Sequence, residues 1–255
     1  GIDAFDALKA AEGDNDPEIA ARAAYLSRRI SIRWLERSDS PEAQAILDSV
    51  SADTEESEFL QGMIRVYSLL GQGDEAAALS QAKALVERFP DDPRTHNLLG
   101  SVALKLGQVD LARESLAKEQ SIVPSSLATY LKIAAIDIQR GEFDAARDQL
   151  LAALELQSES PDIMVALARL EGQTGNTAAA RDWLENARTV APQAMSPRIF
   201  LARLLLSDND AAAAETVARE AVLIDAEEPA AHNLLGLALE SEGKLDNAIE
   251  SFENA

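Results

Sequence analysis

The amino-acid sequence predicts an all-α fold built from repeated helical hairpins, and three observations carry that reading. Helix-breaking residues recur at one fixed interval. An alanine and a small residue keep phase with them. The stretches between are rich in Ala, Leu, Glu, Gln and Arg, the strong helix formers, and β-branched residues dominate no segment. With 47% hydrophobic residues, the 255-residue chain has the material for a sizeable core, and nine Pro with 12 Gly are too few for a low-complexity chain.

The breakers are Gly73, Gly107, Gly141, Gly175, Asn209 and Gly243, which keep a constant 34-residue period. Five positions after them stand Ala78, Ala112, Ala146, Ala180, Ala214 and Ala248, and seven before them stand Val66, Gly100, Ala134, Ala168, Ala202 and Gly236. Pro90, Pro124 and Pro192 each stand half a period after a breaker, with Ser158 and Ala226 in that place in the other two complete units. The segment His-Asn-Leu-Leu-Gly occurs at 96–100 and again at 232–236, four periods apart. Each position has a mechanical reason. Gly and Asn enter the left-handed conformation cheaply, so they end the first helix of a hairpin. Pro lacks an amide hydrogen and stops the second. Small residues let two helix axes cross closely, and Leu99, Ile133, Leu167, Leu201 and Leu235 beside them are expected in the core.

Before residue 59 the pattern is less regular. Pro17 is suited to opening a unit, but it lies further from Phe59 than one period. Residues 18–37 read as one amphipathic helix carrying Ile19, Ala23, Leu26, Ile30 and Trp34. Residues 38–41 signal a turn, 42–50 a second helix, and 51–57 a loop or fresh cap. Residues 3–11 read as the second helix of an earlier unit, ahead of a turn at 13–17. The expected organisation is therefore degenerate hairpins over 1–58 and a regular array over 59–255. Its units start near 59, 93, 127, 161, 195 and 229, the last incomplete. Because a natural solenoid closes with a polar capping helix, ends that fall inside hairpins suggest a piece of a longer array.

The spacing resembles the tetratricopeptide repeat, a 34-residue unit with a small residue at position 8, Gly at 15, Ala at 20 and Pro at 32. First positions at Pro93, Leu127, Pro161, Met195 and Pro229 reproduce it without an insertion. Position 4, aromatic in the family, carries His96, Tyr130, Met164, Arg198 and His232, and position 24 is aromatic here only as Phe252, with Leu116, Leu150 and Leu184 elsewhere. The resemblance implies a right-handed superhelical solenoid of antiparallel helix hairpins that binds another macromolecule on a concave face lined by first helices. Family positions 2, 5, 9, 12 and 13 point into that groove. In this sequence they include Arg94, Asn97, Ser101 and Lys105, then Leu131, Ala135 and Gln139. They continue with Val165, Arg169 and Gln173, then Ile199 and Arg203, then Asn233 and Leu237. Members that clamp a C-terminal carboxylate use Lys at position 5, which here is Asn97, Leu131, Val165, Ile199 and Asn233, so that mode is disfavoured.

Net charge is −21, from 44 acids against 23 bases. A field of that sign repels phosphate backbones and anionic lipid, so nucleic acid and membrane surfaces are poor partners. Against it, Arg169 and Arg203 share one inward position in consecutive repeats, with Arg94 and Lys105 further along, and they suggest a groove for an acidic peptide or anionic polymer. The competing expectation is that these arginines pair with acids on neighbouring repeats.

Nothing in the sequence points to catalysis, a cofactor or a metal. Cysteine is absent, which removes thiolate chemistry and suits either cytoplasm or periplasm. His96 and His232 sit four units apart and are expected to pack structurally. Residues 71–76 faintly match a dinucleotide loop but follow a helix instead of a strand. Asp208-Asn209-Asp210 opens like a calcium loop, yet the required glycine and acid are Ala213 and Arg219. HExxH, phosphate-loop and GxSxG motifs are missing, as are an apolar run of membrane-spanning length and a leader-like N-terminus. The expected function is a non-catalytic scaffold for another protein or peptide. Resemblance to exosortase-associated lipoproteins with such repeats favours a bacterial envelope, secretion or exopolysaccharide assembly. A cytoplasmic adaptor or chaperone, and the recognition arm of a repeat-fused enzyme, are the alternatives.

Overall fold

The computed structural model describes residues 55–255, and among them twelve α-helices follow one another with no strand. They are α1 (Glu55–Gly71), α2 (Glu75–Arg88), α3 (Pro93–Lys105), α4 (Val109–Ile122), α5 (Leu127–Arg140) and α6 (Phe143–Leu156). Then come α7 (Pro161–Gln173), α8 (Thr177–Val190), α9 (Met195–Ser207), α10 (Ala211–Ile224), α11 (Pro229–Ser241) and α12 (Leu245–Glu253). The chain divides after Pro124 into two compact units, which place α1–α4 in the first and α5–α12 in the second. The expectations for residues 1–54 lie outside the described residues. Residues 55–57, read from sequence as loop or cap, belong to α1. Glu is a strong helix former that suits a helix N-terminus, and the segment opens on two of them.

All six expected turn residues take positive φ, between 60° and 83°, and Asn209 is the one non-glycine among them. With that residue left-handed, the next amide reaches back five positions: Asp74 to Leu69, Gln108 to Ala103, Glu142 to Asp137, Asn176 to Glu171, Asp210 to Leu205 and Lys244 to Leu239, all at 2.8–2.9 Å. This is the closure that satisfies otherwise orphaned carbonyls at a helix end. Side chains then start the second helices: Asp74, Asn176 and Asp210 accept from the amides three positions on. The second helices stop at Arg88, Ile122 and Val190, just before Pro90, Pro124 and Pro192. Pro93, Pro161 and Pro229 occupy the first turn of α3, α7 and α11, where a missing amide hydrogen costs nothing.

The small residues lie at helix crossings, as their spacing predicts. A Cβ on Gly100 would stand 2.7 Å from Cγ of the fully buried Leu116 and 3.3 Å from the Ala112 carbonyl, and one on Gly236 would stand 2.5 Å from the Phe252 ring edge. Leu99, Ile133, Leu167, Leu201 and Leu235 are all buried. In the first unit Val66, Ala78, Ala82, Leu85, Leu98, Leu99 and Val102 form one cluster that ties α1, α2 and α3 together. In the second, Ala134, Leu150, Ile163 and Leu167 join α5, α6 and α7, and a larger cluster runs from Met164 through Leu201 to Leu235 and Ala248. Each fully buried Leu contributes roughly 1.5–3 kcal/mol by leaving water, and part of this is gained only when hairpins stack on their neighbours.

Between hairpins of the second unit runs a set of polar links that the sequence period also generates. Arg147, Arg181 and Glu215 recur one period apart on α6, α8 and α10. Each reaches the following hairpin: Arg147 to Glu171 at 2.5 Å, Arg181 to Asp210 at 3.6 Å, and Glu215 to Lys244 at 2.6 Å. Hydrogen bonds from Arg147 and Asn176 hold the buried Glu171 below the ordinary carboxylate range, against the opposing effect of burial. Bonds from Lys244 and then Arg219 lower Glu215 to about 2. His96 and His232, buried, each donate from Nε2 to a loop carbonyl six positions earlier, at 2.7 Å (Pro90) and 2.8 Å (Ala226).

Two outcomes follow from these contacts. Gly100→Ala is expected to cost about 1–3 kcal/mol in denaturant unfolding, because Leu116 is enclosed, whereas Gly236→Ala costs less because the more exposed Phe252 ring can swing outward. An equal or larger cost at Gly236 would contradict that packing account. Glu215 ionises more readily folded than at its ordinary value of 4.5, so its contribution is complete above that pH and fades as pH falls toward about 2. The melting-temperature deficit of Glu215→Gln is therefore expected to be largest near neutrality and to shrink through that acid window; a deficit constant with pH would contradict the assignment.

Candidate binding face

In the second unit the first helices touch one another, α7 against α9 and α9 against α11, so their outer sides make a continuous strip. Of the residues expected there, Ala135, Gln139, Arg169, Gln173, Arg203 and Asn233 are exposed, Leu131 and Leu237 are just over a third exposed, and Ile199 is half-buried. Val165 departs from the expectation. It is buried in the cluster that contains Leu201 and Ala202, because α9 packs directly over it.

In the first unit the α3 residues are drawn into local contacts. The Arg94 guanidinium grips Asp92 at 2.6 Å and lies 4.0 Å from the centre of the Phe59 ring. Asn97 donates to Glu119 at 2.7 Å, and Ser101 is half-buried with a partner of its own. Lys105 is exposed at the end of α3. Arg94 and Asn97, chosen from sequence as groove residues, are thus largely spent on holding α3 in place.

The second-unit arginines behave differently. The expectation that Arg169 and Arg203 pair with neighbouring acids is not met: neither forms an ion pair with a described residue. Glu171, the acid nearest to Arg169 along the chain, is buried against Arg147. Arg169 instead lies with its guanidinium 5.4 Å from the centre of the Phe200 ring on α9, a contact that restrains the side chain without neutralising it. Arg203 follows Phe200 by three positions on the same helix, which places it on the adjoining patch of helix surface. Beside this pair the strip carries the uncharged Gln173, Ile199, Asn233 and Leu237, with the exposed acids Asp162 and Glu240 further along α7 and α11. Elsewhere in the unit Arg140, Arg147, Arg181, Arg188, Arg198, Arg219 and Lys244 each hold a carboxylate.

Phe200 was not singled out from the sequence. Its signal was available: Arg169 takes position 9 of one unit and Phe200 position 6 of the next, one period less one helical turn away. No group of three or more potential metal ligands occurs among the described residues, and no helix among them is long and apolar enough to cross a membrane.

Comparisons agree with this geometry. No curated protein sequence matches significantly. Among solved structures, a tetratricopeptide repeat protein from Parabacteroides merdae has a TM-score of 0.62 at 17% identity, over 76% of this chain and 77% of that one. Pseudomonas aeruginosa PilF has a TM-score of 0.58 at 16% identity, over 77% and 89%. YrrB, described as a TPR protein with an unusual peptide-binding site, has a TM-score of 0.52 at 14% identity, over 68% and 89%. At these identities the likeness is one of fold. A family model described as tetratricopeptide repeat matches residues 65–126, 131–194 and 201–255, more than half of the chain. With the repeat period, the left-handed hairpin turns and the small residues at the helix crossings, the match shows that this chain belongs to the tetratricopeptide repeat family.

Proposed function

We propose that the chain is a non-catalytic scaffold that holds a protein or peptide segment on the first-helix strip of its second unit. The observation that carries this reading is the exposure, on one continuous strip, of side chains that serve no packing or pairing role among the described residues: Gln173, Arg203, Asn233 and the outer surface of Leu237. Apolar and unpaired basic groups side by side on one strip are the mixture that a binding surface offers a peptide. The peptide-binding site described for YrrB supports the same use of the fold. We place the scaffold in a bacterial envelope, secretion or exopolysaccharide assembly, on the resemblance of its alanine-rich array with degenerate units to scaffolds of such systems.

A photo-activatable cross-linker substituted at Gln173, in the native cell, is expected to capture a defined protein partner that fractionates with the envelope. The same group at Asp182, exposed on α8, is expected to capture little. Equal labelling from the two positions, or none from Gln173, would contradict the proposal.

A further inference from the structure

We infer that the strip is selective for an acidic peptide segment, one whose carboxylate sits between Arg169 and Arg203 while apolar side chains on either side of it rest against Ile199 and Leu237. This rests on the scaffold reading above and adds the chemistry of the partner. Three observations lead to it. First, the chain carries a net charge of −21, and in the second unit the bases of the second helices, Arg147, Arg181, Arg188 and Arg219, each hold a carboxylate. Two exposed arginines with no carboxylate partner among the described residues, at the same repeat position on touching helices, stand out against that background. Second, the Arg169 guanidinium lies 5.4 Å from the Phe200 ring centre, a contact that narrows its rotamer freedom before a ligand arrives. Ordering in advance removes part of the entropic cost that usually makes exposed ion pairs weak. Third, the guanidinium fork suits a carboxylate: it offers parallel donors to two oxygens, and charge-assisted bonds of this kind are among the stronger ones. The surface next to the arginines is apolar and amide in character, and beyond it the exposed Asp162 and Glu240 carry negative charge. That favours an acidic side chain set among apolar neighbours over a uniformly anionic polymer, which the remaining acidic surface repels.

The test uses the whole chain and two fluorescent peptides, acetylated and amidated at their ends, in which Leu alternates with Asp and Glu or with Asn and Gln. Anisotropy is expected to show roughly tenfold tighter binding of the acidic peptide, equivalent to about 1.4 kcal/mol. Arg169→Ala combined with Arg203→Ala is expected to abolish that preference, while Arg219→Ala, on the exposed side of α10, preserves it. Phe200→Leu, which leaves both charges in place, is expected to reduce the preference in part. Circular dichroism melts of each variant separate loss of binding from loss of fold. Equal affinity for the two peptides would overturn the acidic selectivity and leave the scaffold reading standing. Preference retained in the double variant, or binding of an alginate oligomer in place of the acidic peptide, would also overturn it. Failure of both peptides to bind would count against the selectivity and against a peptide-binding strip alike, whereas the cross-linking result tests the scaffold alone.

Discussion

At the end of each first helix a single residue in the left-handed conformation lets the next amide turn back to a carbonyl five positions earlier, and the hairpin geometry depends on that bond. Successive helical residues point about 100° apart. Moving the turn by one residue would rotate the start of the second helix by that angle relative to the first. Gly100 would no longer face Leu116, nor Gly236 face Phe252. The repeat therefore keeps its turn residue in phase more strictly than its large core side chains. Phe252 and Leu116 exchange at one position, and His96, Tyr130, Met164 and Arg198 at another, while five of the six turns use Gly. Asn209 satisfies the same demand with a residue that tolerates positive φ.

Once the hairpin is fixed, stacking decides where charge resides. A hairpin with two amphipathic helices leaves one face to each neighbour and one row on each helix to solvent. On the second helices, Arg147, Arg181 and Glu215 reach the next hairpin as salt links, and Arg188 of α8 meets Arg198 of the first helix α9 at Glu220. Bases used in this way give little net attraction for a ligand. On the first helices the corresponding outer row carries Ala135, Arg169, Arg203 and Leu237. The two arginines pair with no acid among the described residues, and that gives the strip a character different from the second helices of its unit. Phe200 links the two roles: its ring belongs partly to the core of the second unit and its face supports Arg169.

Much of this was legible in the sequence because it repeats. The left-handed turns at five glycines and Asn209, the helix stops ahead of Pro90, Pro124 and Pro192, and the buried leucines beside the small residues all follow from local backbone chemistry renewed in every unit. What escaped the reading depends on a side chain in a neighbouring unit that the period does not dictate. Val165 shares its repeat position with Leu131 and Asn233, yet it is buried because α9 closes over it. Arg94 reads as a groove base until Asp92 and Phe59 are seen around it. For Arg169 and Arg203 the sequence left two readings open, a groove for an acidic ligand or pairs with acids on neighbouring repeats, and no described acid pairs with them; beside Arg169, Glu171 already serves Arg147. The fold is thus periodic, while the candidate face is set by aperiodic choices at a few positions.

The hairpins are closed by six turn amides, those of Asp74, Gln108, Glu142, Asn176, Asp210 and Lys244. Hydrogen exchange measured residue by residue should find all six protected to a degree comparable with the helix interiors beside them, since each donates a 2.8–2.9 Å bond inside a closed turn. Exchange at these amides as fast as in an open loop, with the helices themselves protected, would show that the left-handed closure does not hold the hairpins together.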